Sequence, residues 1–99
     1  MTEVALEVAA RPTEEPEMRS QAEYLGELRA RRRELGQARP GEARALGLAI
    51  GYLQVAAPAR TAWLLREVLE AERSRPGEFW AESCRALRRI LRELGQVVP

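Results

Sequence analysis

Proline and glycine cut this chain, from Glu17 onward, into four stretches, and within each the apolar residues recur every three or four positions. That spacing gathers them on one face of an α-helix and is foreign to the strict alternation of a half-buried strand. In the last stretch Trp80, Cys84, Leu87, Leu91 and Leu94 form one continuous seam. Ala43, Leu46, Ile50, Leu53 and Ala57 repeat the spacing in the second. Met18, Leu25, Leu28 and Leu35 mark the first, and Leu64, Leu65, Val68 and Leu69 the third.

The punctuation sets the boundaries. A first helix is expected from about Glu17 to Leu35, closed by Gly36 as a C-cap. A second opens with Pro40 in its first turn and runs to about Ala57. Pro58 separates it from a third, about Ala59 to Ser74, and Pro76 opens a fourth that reaches Leu94 and ends at Gly95. Connections this short make consecutive helices antiparallel neighbours. The expected fold is all-α: a small four-helix, antiparallel, up-down bundle over residues 17–99, preceded by an extended N-terminal arm and linker over residues 1–16. In the arm Val4, Leu6 and Val8 alternate with Ala5 and Glu7, as in a short strand or extended segment, and Pro12 and Pro16 bound a polar linker. A chain of 99 residues is one domain's worth, and a bundle of that size can bury a workable core.

The second helix is too apolar for a simple bundle member. Leu48, Tyr52 and Val55 add a strip away from its main seam, leaving Glu42, Arg44 and Gln54 as its polar groups. A helix apolar almost all round is central in its domain or covered by another subunit. Gly47 and Gly51 lie on the same helix, each costing about 1 kcal/mol against alanine. A close helix–helix approach, inside the core or across a dimer, would offset that cost.

All sixteen basic residues are arginine and all fifteen acidic residues are glutamate; Lys, Asp, Asn and His are absent. A GC-rich genome and a hot habitat both push composition this way, the second because ion-pair networks suit the planar guanidinium and asparagine is thermolabile. A thermophilic bacterium is the expected source. The net charge of +1 gives no global pull towards nucleic acid or membrane. Cys84 has no partner for an internal disulfide, the first eleven residues lack a signal-peptide pattern, and Ala45–Ala59 falls short of the roughly 18 apolar residues of a spanning helix. A cytoplasmic location with no membrane partner is expected.

The same inventory limits chemistry. Without histidine or aspartate the Ser-His-Asp and Cys-His arrangements are impossible within the chain. Metal binding would rest on glutamates alone, whereas Glu-rich bundle sites add a Glu-x-x-His. No glycine-rich phosphate loop is present, and Cys84 sits mid-seam as a core thiol. No catalytic, cofactor-binding or metal residue is assigned, no cofactor is expected, and the chain is not read as an enzyme.

Surface features point to partners instead. Arg85, Arg88, Arg89 and Arg92 share the sector of the last helix opposite its seam, with Glu82 and Glu93 within pairing distance of Arg85 and Arg89. Such a ridge is either a solvated, partly salt-bridged face or a strip that follows phosphates. Arg29, Arg31, Arg32 and Arg33 would extend it if the first and last helices lie side by side. Arg32 falls among Leu25, Leu28 and Leu35 and must snorkel, find a glutamate or meet an interface. Trp63 points outward among Arg60, Arg66, Glu67 and Glu70, the setting of a partner anchor or of a side chain covered by a neighbouring segment.

Tyr24–Gly36, followed by Ala43–Leu48 and Tyr52–Leu53, resembles the start of a phage-repressor-type helix-turn-helix. That resemblance implies DNA reading by a second helix over Ala49–Ala57. Only Gln54 and Tyr52 there would reach base edges, and Pro40, Gly41 and Glu42 depart from the family's packing and phosphate-contacting positions, so no family is assigned. The expected function is a non-enzymatic interaction module, a homodimer or a small subunit of a larger assembly, with Gly47, Leu48, Gly51, Tyr52, Val55 and Trp63 as its partner interface. The alternative is an accessory protein that contacts nucleic-acid phosphates through Arg85, Arg88, Arg89, Arg92, Arg29 and Arg33.

Overall fold

The computed structural model describes residues 18–99; the expectations for Val4, Leu6, Val8 and the proline-bounded linker lie outside the described residues. Four helices form: α1 (Gln21–Leu35), α2 (Pro40–Val55), α3 (Pro58–Glu72) and α4 (Glu78–Leu94). A two-residue strand on either side, β1 (Arg19–Ser20) and β2 (Val97–Val98), pairs in parallel, Arg19 opposite Val97. The start of the bundle is thereby tied to its end.

Each boundary has a local cause. α1 begins four residues later than the apolar spacing suggested, because Ser20 and Glu23 form a capping box that satisfies its first N–H groups. Met18 therefore lies outside the helix and is 58% exposed instead of joining the seam. Gly36, at φ +55°, turns the chain out of α1, and Pro40 and Pro58 occupy the first turns of α2 and α3, where a missing N–H costs nothing. α2 stops at Val55, so Ala57 belongs to the turn that follows it.

The helices alternate in direction. Gln21, at the start of α1, donates to the carbonyls of Leu53 and Ala56 at the end of α2. Glu72, at the end of α3, meets Arg44 near the start of α2 and Ser83 near the start of α4. The starts of α2 and α4 also lie together, where Gly41 N–H donates to Glu82. The result is an up-down bundle flattened along one diagonal: α2 packs most closely on α4, which runs parallel to it, and α1 and α3 close the sides.

The core holds Leu28 and Tyr24 of α1, Ala45, Leu46, Ala49, Ile50 and Leu53 of α2, Leu65 of α3, and Leu87, Ile90 and Leu94 of α4. Cys84 is a buried free thiol in the expected seam. Tyr24 and Ile90 are additions that the spacing did not single out. Leu48 and Tyr52, the extra strip of α2, are half-buried against this same core. The central position of α2 thus covers most of its extra apolar surface from within the chain.

Candidate functional site

Two carboxylates organise the polar side of the bundle. Glu93 of α4 accepts a 2.5 Å bond from the Tyr24 hydroxyl, two 2.8 Å bonds from the Arg31 guanidinium and one of 3.1 Å from Arg89 Nε. Burial alone would raise its pKa, but the hydrogen bonds from Arg31 and Tyr24 outweigh that and hold it below the ordinary carboxylate range. Tyr24 is pushed the other way, far above the usual phenol value, by burial and by its bond to Glu93. At the opposite end Glu72, buried, pairs with Arg44 at 2.5 Å and accepts from Ser83. The guanidinium carbons of Arg44 and Arg75 lie 5.0 and 4.5 Å from the Trp80 ring centroid. These clusters join helices: Glu93 links α4 to α1, and Glu72 links α3 to α2 and α4.

The expected arginine ridge divides. Arg85 pairs with Glu78 at 2.8 Å, not with Glu82, and Arg89 pairs with Glu93. Glu82 is engaged elsewhere, accepting from the N–H groups of Gly41 and Glu42. Arg88 and Arg92 are exposed and have no ion pair among the described residues. Arg31 is the α1 arginine that reaches α4. Arg29 and Arg33 do not extend the ridge: with Arg32 they border an open depression of about 400 Å³ that has Ile50 of α2 as its apolar wall. The cause is rotational, since Arg31 follows Tyr24 and Leu28 towards α4 while positions one or two residues away turn towards α2 or solvent.

The candidate interface on α2 and α3 is likewise spread. Arg32 snorkels, laying its guanidinium 3.5 Å from where a side chain on Gly47 would begin. Among the described residues nothing comes within 4 Å of the corresponding point on Gly51. Neither glycine marks a close helix crossing among the described residues. The residue that does is Gly41, whose absent Cβ would overlap the Phe79 carbonyl and lie 2.9 Å from Glu82 Cβ. Val55 is 83% exposed and Trp63 46% exposed, the Arg60 guanidinium lying 4.6 Å from the Trp63 centroid. Leu48 and Tyr52 are partly buried against the core.

α2 also runs unbroken through Leu48 and Ala49, where a helix-turn-helix requires its turn, and Ala49, Ile50 and Leu53 are buried. Among the described residues no helix is long and apolar enough to cross a membrane. Comparison with protein-family models, curated proteins and solved structures finds no match to this chain.

Proposed function

We propose that this chain is a non-enzymatic helical interaction module, joining a second copy of itself or a subunit of a larger assembly. The observation that supports this most is the outward Trp63, a large aromatic left at the surface of α3 with Arg60 stacked on it. Tryptophan and arginine are the side chains that most often anchor interfaces, since they exchange large, partly desolvated areas on docking. Val55 and Gly51, exposed on α2, supply a second apolar patch with room for an incoming side chain. The all-arginine, all-glutamate charge set and the lone buried thiol support a cytoplasmic role in a GC-rich thermophilic bacterium.

Light scattering at micromolar concentration tests self-association: a mass above one chain, returned to one chain by Trp63→Ala with folding intact, is expected. In a Trp80→Phe background Trp63 emission should shift to the blue as concentration rises. A strict monomer with solvent-like Trp63 emission removes the homodimer.

A second reading, binding of nucleic-acid phosphates, draws support from Arg88, Arg92, Arg29 and Arg33, none of which has an ion pair among the described residues. Gel shifts against salt test it, because each phosphate neutralised steepens the logarithmic salt dependence by about 0.9. No shift at low salt removes it.

A further inference from the structure

The outer face of α3 sets a large aromatic among charges of both signs. At about 100° per residue, Ala59, Arg60, Trp63, Arg66, Glu67 and Glu70 fall within one sector of about 120°, and all six are exposed. Little within the chain holds their charged groups. None of Arg60, Arg66 and Glu67 has an ion pair among the described residues, and Arg60 lies over the Trp63 ring. Glu70 meets Arg73 at 3.5 Å with both side chains well exposed, a contact that contributes little to stability. The inward carboxylates of Glu72 and Glu93, by contrast, are each held by two or more partners.

The charges are sorted along the helix. Arg60 stands in the first turn, Trp63 and Arg66 about the middle, and Glu67 and Glu70 in the second half. A second copy laid parallel would set Arg60 against Arg60 and Glu70 against Glu70, so like charges would meet. An antiparallel copy sets opposites together. With a two-fold axis between the levels of Leu64 and Leu65, Arg60 comes within about 3 Å, measured along the helix, of both the partner's Glu67 and the partner's Glu70. Trp63 comes level with the partner's Arg66, in position for a cation–π contact, and the two Trp63 side chains lie about 4.5 Å apart along the helix direction. One axis position thus serves the charges and the aromatic at once, with tryptophan and arginine at the centre and glutamates at the rim. α3 has 15 residues and is about 22 Å long, so a contact confined to it is small and the dimer is concentration-dependent.

We propose that α3 pairs antiparallel with α3 of a second copy of this chain, Arg60 meeting the partner's Glu67 and the partner's Glu70 while the two Trp63 side chains pack about the two-fold axis. This pairing rests on the self-association reading above and adds to it a surface, an orientation and a set of ion pairs.

Sedimentation equilibrium of the full chain over a dilution series tests it. Arg60→Glu sets glutamate against glutamate across the axis and should weaken dimerisation at least about tenfold, and Glu67→Arg with Glu70→Arg should do the same by setting arginine against arginine. All three changes in one chain reverse both sides of the contact and should bring the dissociation constant back to within about threefold of the original. A parallel pair would gain nothing from that combination, because each residue there faces its own copy. Circular dichroism should be the same for all four proteins; should a reversal disturb the fold, Arg60→Gln is expected to weaken dimerisation at least about threefold instead. A dimer indifferent to these changes, or not restored by their combination, overturns the α3 pairing and leaves self-association standing. An unaltered protein that stays monomeric at hundreds of micromolar removes self-association itself and this pairing with it.

Discussion

Gly41 and Gly51 lie on one helix and look alike in the sequence, yet a methyl group would meet opposite fates at the two positions. At Gly41 it would run into the Phe79 carbonyl and Glu82, because α2 and α4 cross there with their backbones almost touching. Backbone atoms cannot rotate aside, so Gly41→Ala is expected to cost about 2 kcal/mol as the helices are forced apart. At Gly51 the described residues leave the space open, and the backbone entropy that glycine loses in a helix is saved by substitution. Gly51→Ala should stabilise the protein by up to about 1 kcal/mol. Urea unfolding of the two variants checks both signs; destabilisation at Gly51 would mean that its surface is covered. The sequence spacing marked Gly47 and Gly51 as the positions of close approach. Spacing reveals which residues share a helix face but not which neighbour arrives there, and the neighbour at Gly41 comes from forty residues downstream.

At the scale of the element, α2 is unusual in being capped by other helices. Arg39 precedes it and provides no side-chain acceptor, and Ala56 follows it where a glycine would ordinarily turn the chain. Glu82 of α4 accepts the N–H groups at one end, and Gln21 of α1 donates to the carbonyls at the other. A carboxylate at a helix N-terminus also faces the positive end of the macrodipole. Glu82→Ala should therefore cost about 1 kcal/mol, as loss of an ordinary cap does. Adding Arg39→Ser, which supplies a cap from α2's own flank, should recover a good part of that loss while having little effect alone. Thermal melts of the four-member cycle measure it, and simple additivity would show that Glu82 acts by packing. The seams, the turns and the outward Trp63 were legible because each depends on residues within a few positions of one another. The same short-range pattern suggested an Arg85–Glu82 pair, but Glu82 satisfies the more demanding backbone donors of α2, and Arg85 turns to Glu78. Legibility ended where one helix completes another.

For the whole molecule, Glu93 is the point at which electrostatics holds the bundle shut. It binds α1 to α4 through Tyr24 and Arg31, close to the β1–β2 pair that ties the ends of the domain together. Its pKa is lowered on folding from an ordinary value of 4.5, so the unfolded chain takes up its proton first as pH falls. The stabilisation is complete above that value and is lost as pH drops through the lower folded pKa. Tyr24 has the reverse sense. Its pKa is raised on folding from an ordinary 10.0, so stability is complete below pH 10.0 and falls as the unfolded phenol ionises above it. The folded state should thus show a broad plateau with an acid edge set partly by Glu93 and an alkaline edge set partly by Tyr24. Glu93→Gln keeps the shape but removes the carboxylate that binds Arg31 through two hydrogen bonds, leaving it the longer 3.9 Å contact with Glu27, and should cost about 2 kcal/mol on the plateau. It should also flatten the acid edge, because the variant has no proton to gain at that position. Tyr24→Phe should flatten the alkaline edge and leave the acid edge in place. Denaturant midpoints measured across pH for the three proteins separate the two contributions, and an acid edge unchanged by Glu93→Gln would show that Glu93 does not set it.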